Sequence, residues 1–244
     1  QGGTPMTILD VQGISKSFGG LKALTNVSFS VEEGAIFGLM GANGAGKTTL
    51  FAVIAGQIRP SSGSVSFRNR TITGKRPDQI CRLGISRTFQ IVRPFAGISV
   101  LDNVIVSALY GAAASNSHAE AREAGIAALE AVGLAGSAEK LAGELTLSGQ
   151  KRLEIARALA TGAEMLLLDE VMAGLTPTEV EEMIATLSEL RRARNLTFML
   201  VEHVMGALME LSDRILALDH GVPIAIGTPA EIAANPDVLK VYFG

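Results

Sequence analysis

The spacing of apolar and polar residues divides the chain into alternating strand and helix patterns. Near the start, short apolar runs separated by glycine-containing turns predict strands at 8–11, 27–31, 36–40 and 65–67. After Gly46, the residues Leu50, Val53 and Ile54 recur at the spacing of one helix face. The first third of the chain therefore predicts strands interrupted by a helix.

The middle third has helical signals. Ser99 followed by Asp102 predicts a capped helix that runs to residue 109, and Ser117 followed by Glu120 is a capping box that opens a second helix. Apolar residues spaced for burial predict a third helix at 149–160. Residues 92–160 therefore predict a mostly helical lobe.

The last third alternates between strands and helices again. A continuous apolar run at 165–168 is typical of a buried parallel strand, and 196–201 repeats the pattern. Thr176 and Pro177 predict a helix start between these two runs, and Thr228 predicts another near the end of the chain. Two apolar runs at 215–218 and 222–226 predict a hairpin. Strands alternating with helices predict an α/β fold.

Composition narrows the class of protein. The chain has 244 residues, of which 48% are apolar and 18% charged, which excludes a disordered or collagen-like chain. The net charge of −3 gives no reason to expect nucleic acid as a partner. The single Cys81 excludes a disulfide framework and a cysteine zinc site. No stretch reaches the roughly 20 predominantly apolar residues of a membrane span. We interpret residues 1–5 as a non-native remnant before a start at Met6.

Residues 41–48 carry the first chemical motif. They read Gly-Ala-Asn-Gly-Ala-Gly-Lys-Thr, which matches the phosphate-loop pattern, and they stand between an apolar strand and a helix. Glycines let backbone N–H groups turn towards phosphate oxygens, and a helix N-terminus adds positive potential. Lys47 would then reach the β- and γ-phosphates, and the Thr48 hydroxyl would bind Mg²⁺. The loop predicts a nucleoside triphosphate as ligand.

Two adjacent carboxylates end the buried strand at 165–168. In parallel sheets, ligands bind at the carboxyl ends of the strands. Asp169 could therefore hold Mg²⁺, directly or through water, and Glu170 is a candidate general base for an attacking water.

Five features occur in a set order along the chain: the phosphate loop at 41–48, Gln90, a Leu-Ser-Gly-Gln stretch at 147–150, the pair Asp169-Glu170, and His203. In this order and spacing they resemble the ATP-binding-cassette (ABC) ATPases over residues 6–244. The resemblance implies a phosphate-loop α/β core of mostly parallel sheet with an N-terminal antiparallel part, at 6–91 and 161–244. It also implies a helical subdomain at about 92–160, within one ATPase domain.

The resemblance also implies roles for individual residues, with ATP and Mg²⁺ as cofactors. Phe18 would lie against adenine, Glu170 would be the catalytic base, and His203 would touch the γ-phosphate. Gln90 would sense Mg²⁺ and the attacking water, alongside Thr48 and Asp169 as metal residues. The implied ATP-binding loop residues are Gly41, Asn43, Gly44, Ala45, Gly46, Lys47, Thr48 and Thr49.

The signature segment at 145–150 departs from the family's usual Leu-Ser-Gly-Gly-Gln, and two registers fit. Counting back from residues 155–157 without a gap puts Thr146 at the phosphate-binding serine, whereas matching letters puts Ser148 there and deletes one glycine. In the first register Ser148 falls at a glycine position, and the predicted signature residues are Thr146, Ser148, Gly149 and Gln150. Val171 stands where a proline is usual, and residues 173–177 lack the aspartate that many relatives carry there.

The stretches at 86–90, 93–95, 99–104, 152–157, 202–205 and 235–244 resemble the LivG-type ATPase of branched-chain amino acid importers. This implies an ATPase subunit that energises uptake of branched-chain or other hydrophobic amino acids. It would lie peripherally at the cytoplasmic face of a bacterial membrane, yet be soluble when isolated. Its partners would be transmembrane permease subunits, a second ATPase (a paralogue or itself) in a head-to-tail dimer, and indirectly a substrate-binding protein.

Alternatives from other classes stay open at this point. ATPases for lipopolysaccharide export and for urea or amide import share much of the pattern. A non-transport cassette ATPase would usually carry a coiled-coil insertion or a second cassette, and this chain has neither. A kinase or GTPase that uses the same loop would leave the signature segment and His203 unexplained.

Overall fold

The structure is a computed structural model that describes residues 6–88, 94–115 and 117–243. The strands along these residues are β1 (Thr7–Phe18), β2 (Leu21–Glu32), β3 (Ile36–Gly41), β4 (Ser62–Phe67), β5 (Arg70–Thr71), β6 (Ile85–Arg87), β7 (Met165–Asp169), β8 (Thr197–Val201), β9 (Arg214–Asp219) and β10 (Val222–Gly227). The α-helices are α1 (Lys47–Ile54), α2 (Pro77–Leu83), α3 (Val100–Tyr110), α4 (His118–Ala131), α5 (Leu147–Ala160), α6 (Pro177–Arg194), α7 (Met205–Leu211), α8 (Pro229–Ala234) and α9 (Pro236–Phe243).

The chain forms two compact units. The first unit contains Gln1–Pro77 and Asn195–Gly244, and the second contains Asp78–Arg194. The predicted division into a core at 6–91 and 161–244 and a helical subdomain at 92–160 stays a prediction.

The first unit begins with an antiparallel sheet in the order β2-β1-β4-β5. Along β2, buried Val27, Phe29 and Val31 alternate with exposed residues, so one face of the sheet is apolar. Phe29 stacks on Phe37 of β3 with ring centroids 4.9 Å apart. The antiparallel sheet therefore packs its apolar face towards the second sheet of the same unit.

The second sheet of this unit centres on β3, which pairs in parallel with β8 and with β9, while β10 is antiparallel to β9. Strand β8 and residues 36–40 of β3 are buried throughout, as expected for a parallel sheet covered on both faces. Leu39 lies opposite Val201, so the carboxyl ends of β3 and β8 meet at one edge. The predicted α/β fold is confirmed.

In the second unit, β6 and β7 pair in parallel, and the helices α3, α4 and α5 contact one another. Ser99, Ser117 and Thr146 cap these helices, each accepting a hydrogen bond from the backbone N–H three residues later. The two caps predicted at Ser99 and Ser117 are therefore confirmed. Over the described ranges, no helix combines the length and apolar character that crossing a membrane requires.

Candidate functional site

The phosphate loop of the first unit joins the end of β3 to the start of α1. Gly44 and Gly46 have φ angles of +82° and +100°, which side chains rarely adopt. A Cβ atom at Gly46 would lie 2.6 Å from the Ala23 carbonyl oxygen, so the close approach of β2 also requires glycine. Both glycines are needed for their backbone conformation, and Gly46 is needed also for the space that β2 takes.

Lys47 directs its charge into this loop. The side chain is only 6% exposed, and its Nζ donates hydrogen bonds to the carbonyl oxygens of Gly41 at 2.5 Å and Ala42 at 3.0 Å. A buried ammonium needs such acceptors because leaving water costs it several kcal/mol. The loop therefore holds a positive charge at its centre, the place where the sequence predicts phosphate oxygens.

The start of α1 adds N–H donors to that charge. The first-turn N–H groups of any helix lack partners within the helix, and Gly46 at the N-cap has no side chain to cap them. Thr48 is exposed and Thr49 half-buried, while Asn43 is exposed and Ala45 is buried in the loop. A helix N-terminus with uncapped donors and a buried lysine suits a polyphosphate.

Tyr242 on α9 is a contact to the phosphate loop that the sequence analysis did not identify. Its hydroxyl donates a hydrogen bond to the Leu218 carbonyl oxygen at 3.0 Å. A Cβ atom at Gly41 would lie 3.3 Å from this hydroxyl. Burial, and after it the Asp219 carboxylate, raise the pKa of Tyr242 to about 12, against an opposing effect of the Ala42 N–H. The neutral hydroxyl is therefore bonded to β9 and lies beside the loop.

His203 and Phe18 also belong to the first unit. His203 is exposed two residues after β8, so it follows the strand end that lies beside the end of β3. Phe18 ends β1 with 46% of its surface exposed, and the Lys16 ammonium lies 5.0 Å from its ring centroid. An exposed ring of this kind is free to stack on a planar group.

The acidic strand end lies in the second unit. Asp169 is 1% exposed, and its Oδ2 accepts from Arg87 Nη2 at 2.8 Å. Its N–H donates to the Thr88 hydroxyl at 3.2 Å, and the Thr88 N–H donates to the Leu167 carbonyl. The buried Oδ1 of Asp169 makes no hydrogen bond to the described residues. One carboxylate oxygen is therefore left to accept a further ligand.

Arg87 is a second residue that sequence reasoning did not assign to the site. It ends β6, next to β7, and pairs with Asp169 across two parallel strands. The sequence contains no local signal for this ion pair, because it depends on the register of strands about 80 residues apart.

Glu170 follows directly and has a left-handed backbone, with φ +54°. Such a conformation costs a non-glycine residue about 1–2 kcal/mol. Its carbonyl oxygen accepts hydrogen bonds from the Lys151 ammonium at 2.7 Å and from the Ala173 N–H at 3.2 Å. The predicted base thus stands in a strained turn whose carbonyl is held on two sides.

The signature segment forms the start of α5 in the same unit. Thr146 is the exposed N-cap and accepts from the Gly149 N–H at 3.2 Å. Ser148 lies inside the helix and is only 8% exposed. Gln150 donates to the Leu145 carbonyl at 3.0 Å. The hydroxyl at the helix N-terminus is therefore that of Thr146.

The predicted site residues thus fall into two groups by unit. The phosphate loop, Phe18 and His203 are in the first unit, and Asp169, Glu170 and the signature segment are in the second. Gln90 lies outside the described residues. A strand, a glycine loop with a buried lysine and a helix N-terminus define a phosphate-loop nucleotide-binding protein.

Comparison with known proteins identifies the family. A family model described as ABC transporter matches residues 24–173, and one described as branched-chain amino acid ATP-binding cassette transporter matches residues 222–244. The first model covers more than half of the chain. The chain therefore belongs to the ABC transporter family, as an ATP-binding subunit with ATPase activity.

The sequence is similar to those of known proteins over nearly its whole length. The chain is 41% identical to the high-affinity branched-chain amino acid transport ATP-binding protein LivG of Salmonella typhimurium, covering 97% of this chain and 98% of that protein. It is 39% identical to the corresponding protein BraF of Pseudomonas aeruginosa, with the same coverage.

Solved structures share the fold. A nucleotide-free ATP-binding cassette from an ABC transporter matches with a TM-score of 0.88 and 32% identity, covering 98% of this chain and 100% of that one. The ADP conformation of an ABC transporter cassette matches equally well, again at 32% identity, with 98% and 99% covered.

We expect Tyr242→Phe to weaken ATP binding by about 2- to 10-fold, because it removes the hydroxyl beside the loop, whose neutral hydrogen bond to Leu218 contributes about 0.5–1.5 kcal/mol. Packing of the ring is retained. Titration with a fluorescent ATP analogue measures the effect. Tyr110→Phe, at an exposed position on α3, is the matched control. Equal affinities for Tyr242→Phe and wild type would contradict a role for the hydroxyl in shaping the loop.

Proposed function

We propose that this ATPase energises the import of branched-chain or other hydrophobic amino acids through separate membrane subunits. The observation that carries the cargo assignment is the match of residues 222–244 to the branched-chain cassette model, together with full-length similarity to LivG and BraF. The phosphate loop with its buried Lys47 supports the chemistry.

ATP would bind with its phosphates in the loop of the first unit. The backbone N–H groups of residues 41–49 would cradle the phosphates, and Lys47 would exchange the carbonyls of Gly41 and Ala42 for phosphate oxygens. Phe18 would stack on adenine, for which its exposed ring is suited.

Mg²⁺ would be held by Thr48, Asp169 and Gln90. The exposed Thr48 hydroxyl and the orphaned Asp169 Oδ1 are oxygen ligands of the kind that Mg²⁺ prefers. When bound, the ion neutralises charge on the phosphates and so favours their transfer.

Glu170 would act as the general base in hydrolysis. It would accept a proton from water while the water oxygen bonds to the γ-phosphorus, and the bond from phosphorus to the β-phosphate oxygen would break, releasing ADP and phosphate. His203 would donate a hydrogen bond to the γ-phosphate. Its position beside the end of β3, where the phosphate loop begins, supports that role.

The signature segment would bind the nucleotide of a second cassette, either a paralogue or another copy of this chain, in a head-to-tail dimer. We assign the phosphate-binding hydroxyl to Thr146, the ungapped register. Thr146 is exposed at the N-cap of α5, whereas Ser148 is buried. A helix N-terminus with Gly149 in its first turn suits an incoming γ-phosphate.

Transport itself would require permease subunits in the membrane and a substrate-binding protein, with this chain at the cytoplasmic face. The test is reconstitution in liposomes with the cognate permease and binding protein. We expect leucine, isoleucine or valine to stimulate ATP hydrolysis and to accumulate. Stimulation by urea or amides, with no response to hydrophobic amino acids, would contradict the cargo assignment.

Replacing Lys47 by Ala should raise the Kd for ATP about 10- to 100-fold, since charged hydrogen bonds contribute about 1.5–3 kcal/mol. Equilibrium titration of the purified chain measures this change. Lys22→Ala, an exposed lysine of β2 in the same unit, is the control and should bind normally. Unchanged ATP binding in Lys47→Ala would overturn the role of the loop.

Glu170→Gln should bind ATP with near-normal affinity but hydrolyse it about 10²- to 10⁴-fold more slowly, the usual contribution of a general base. Single-turnover hydrolysis with labelled ATP measures the rate. Glu181→Gln changes an exposed glutamate of α6 in the same way and should keep full turnover. Full turnover in Glu170→Gln would show that another group is the base.

A further inference from the structure

Lys151 connects the signature helix to the turn that carries the proposed base. The residue lies in the second turn of α5 and is only 4% exposed. Its Nζ donates to the Glu170 carbonyl oxygen at 2.7 Å. Both residues belong to the second unit, so the contact lies within one compact body.

The contact also matters for the backbone of Glu170, because that residue has an unfavourable left-handed conformation. In the described part of the chain, six non-glycine residues have positive φ: Asn26, Arg68, Asn69, Glu170, Asn195 and His220. Asn and His tolerate the left-handed region comparatively well. Glu170, like Arg68, is neither, so its backbone must be held in place by its surroundings.

A second contact ties α5 to the same turn. A Cβ atom added at Gly174, where φ is +79°, would lie 3.0 Å from Cδ2 of Leu147. Leu147 is the first residue of α5, directly after the cap Thr146. The start of α5 thus touches the turn at residue 174, and Lys151 touches it at residue 170.

We propose that Lys151 is a positioning residue for Glu170, fixing the left-handed turn from which the base reaches its water, and that it links this turn to the signature end of α5. The inference rests on the proposed role of Glu170 as base. Lys151 acts through the main chain of Glu170, and a shift in α5 is passed to the carboxylate.

The test compares Lys151→Met, which removes the ammonium at similar volume, with wild type in Mg-ATP hydrolysis. We expect kcat to fall about 10- to 100-fold, the effect of misplacing a catalytic group by about 1 Å. The Kd for ATP should stay within about twofold, because the phosphate loop is untouched. Lys140→Met, an exposed lysine in the same unit, should leave kcat and Kd unchanged. Lys151→Arg keeps a donor and should restore part of the loss.

A double-mutant cycle with Glu170→Gln separates positioning from general structural damage. If Lys151 acts through the carboxylate, adding Lys151→Met to Glu170→Gln should not lower the residual rate further. A full additional loss would overturn the inference, as would normal kcat in Lys151→Met while Glu170→Gln is inactive. Full turnover in Glu170→Gln would overturn the base assignment and the inference with it.

If Lys151→Met does not fold, the same cycle is run with Lys151→Arg, whose misplaced donor should lower kcat only while Glu170 is present.

Discussion

Buried charge at the ends of parallel strands is the constraint on which the rest of this protein depends. Lys47 lies on the carbonyls at the end of β3, Lys151 on the carbonyl just after β7, and Arg87 on the carboxylate that ends β7. None of these charges can be left unpaired at such low exposure without a large cost. The strand ends therefore supply acceptors to lysine and arginine at the places where the proposed chemistry needs phosphates, metal and water.

Sequence patterns predicted the elements because their signals are local. The caps at Ser99 and Ser117, and the continuous apolar runs that became β7 and β8, depend on residues a few positions apart. The phosphate loop could also be predicted from the sequence, since its glycines and Lys47 lie within eight consecutive residues. By contrast, the contacts of Arg87, Lys151 and Tyr242 join distant residues through strand register and helix packing, for which a single sequence carries no signal.

The structure distinguishes the two registers of the signature segment, which the sequence alone does not. A largely buried serine in the first turn of a helix offers little surface to a ligand, whereas a threonine at the N-cap presents its oxygen at the positive end of the helix dipole. Thr146 meets the second description and Ser148 the first. In the ungapped register Ser148 stands at a glycine position of the family pattern inside the helix, and the N-terminus keeps the Thr146 hydroxyl and its donors.

The C-terminal segment has a physical role as well as a diagnostic one. Residues 222–244 match the branched-chain cassette model, and the hydroxyl of Tyr242 within them lies beside Gly41 of the phosphate loop. Gly41 has no side chain, which leaves space for the Tyr242 hydroxyl beside the loop. The segment that matches the branched-chain model thus lies against the phosphate loop. Sequence differences in the tail can then alter nucleotide affinity without changing any residue of the loop.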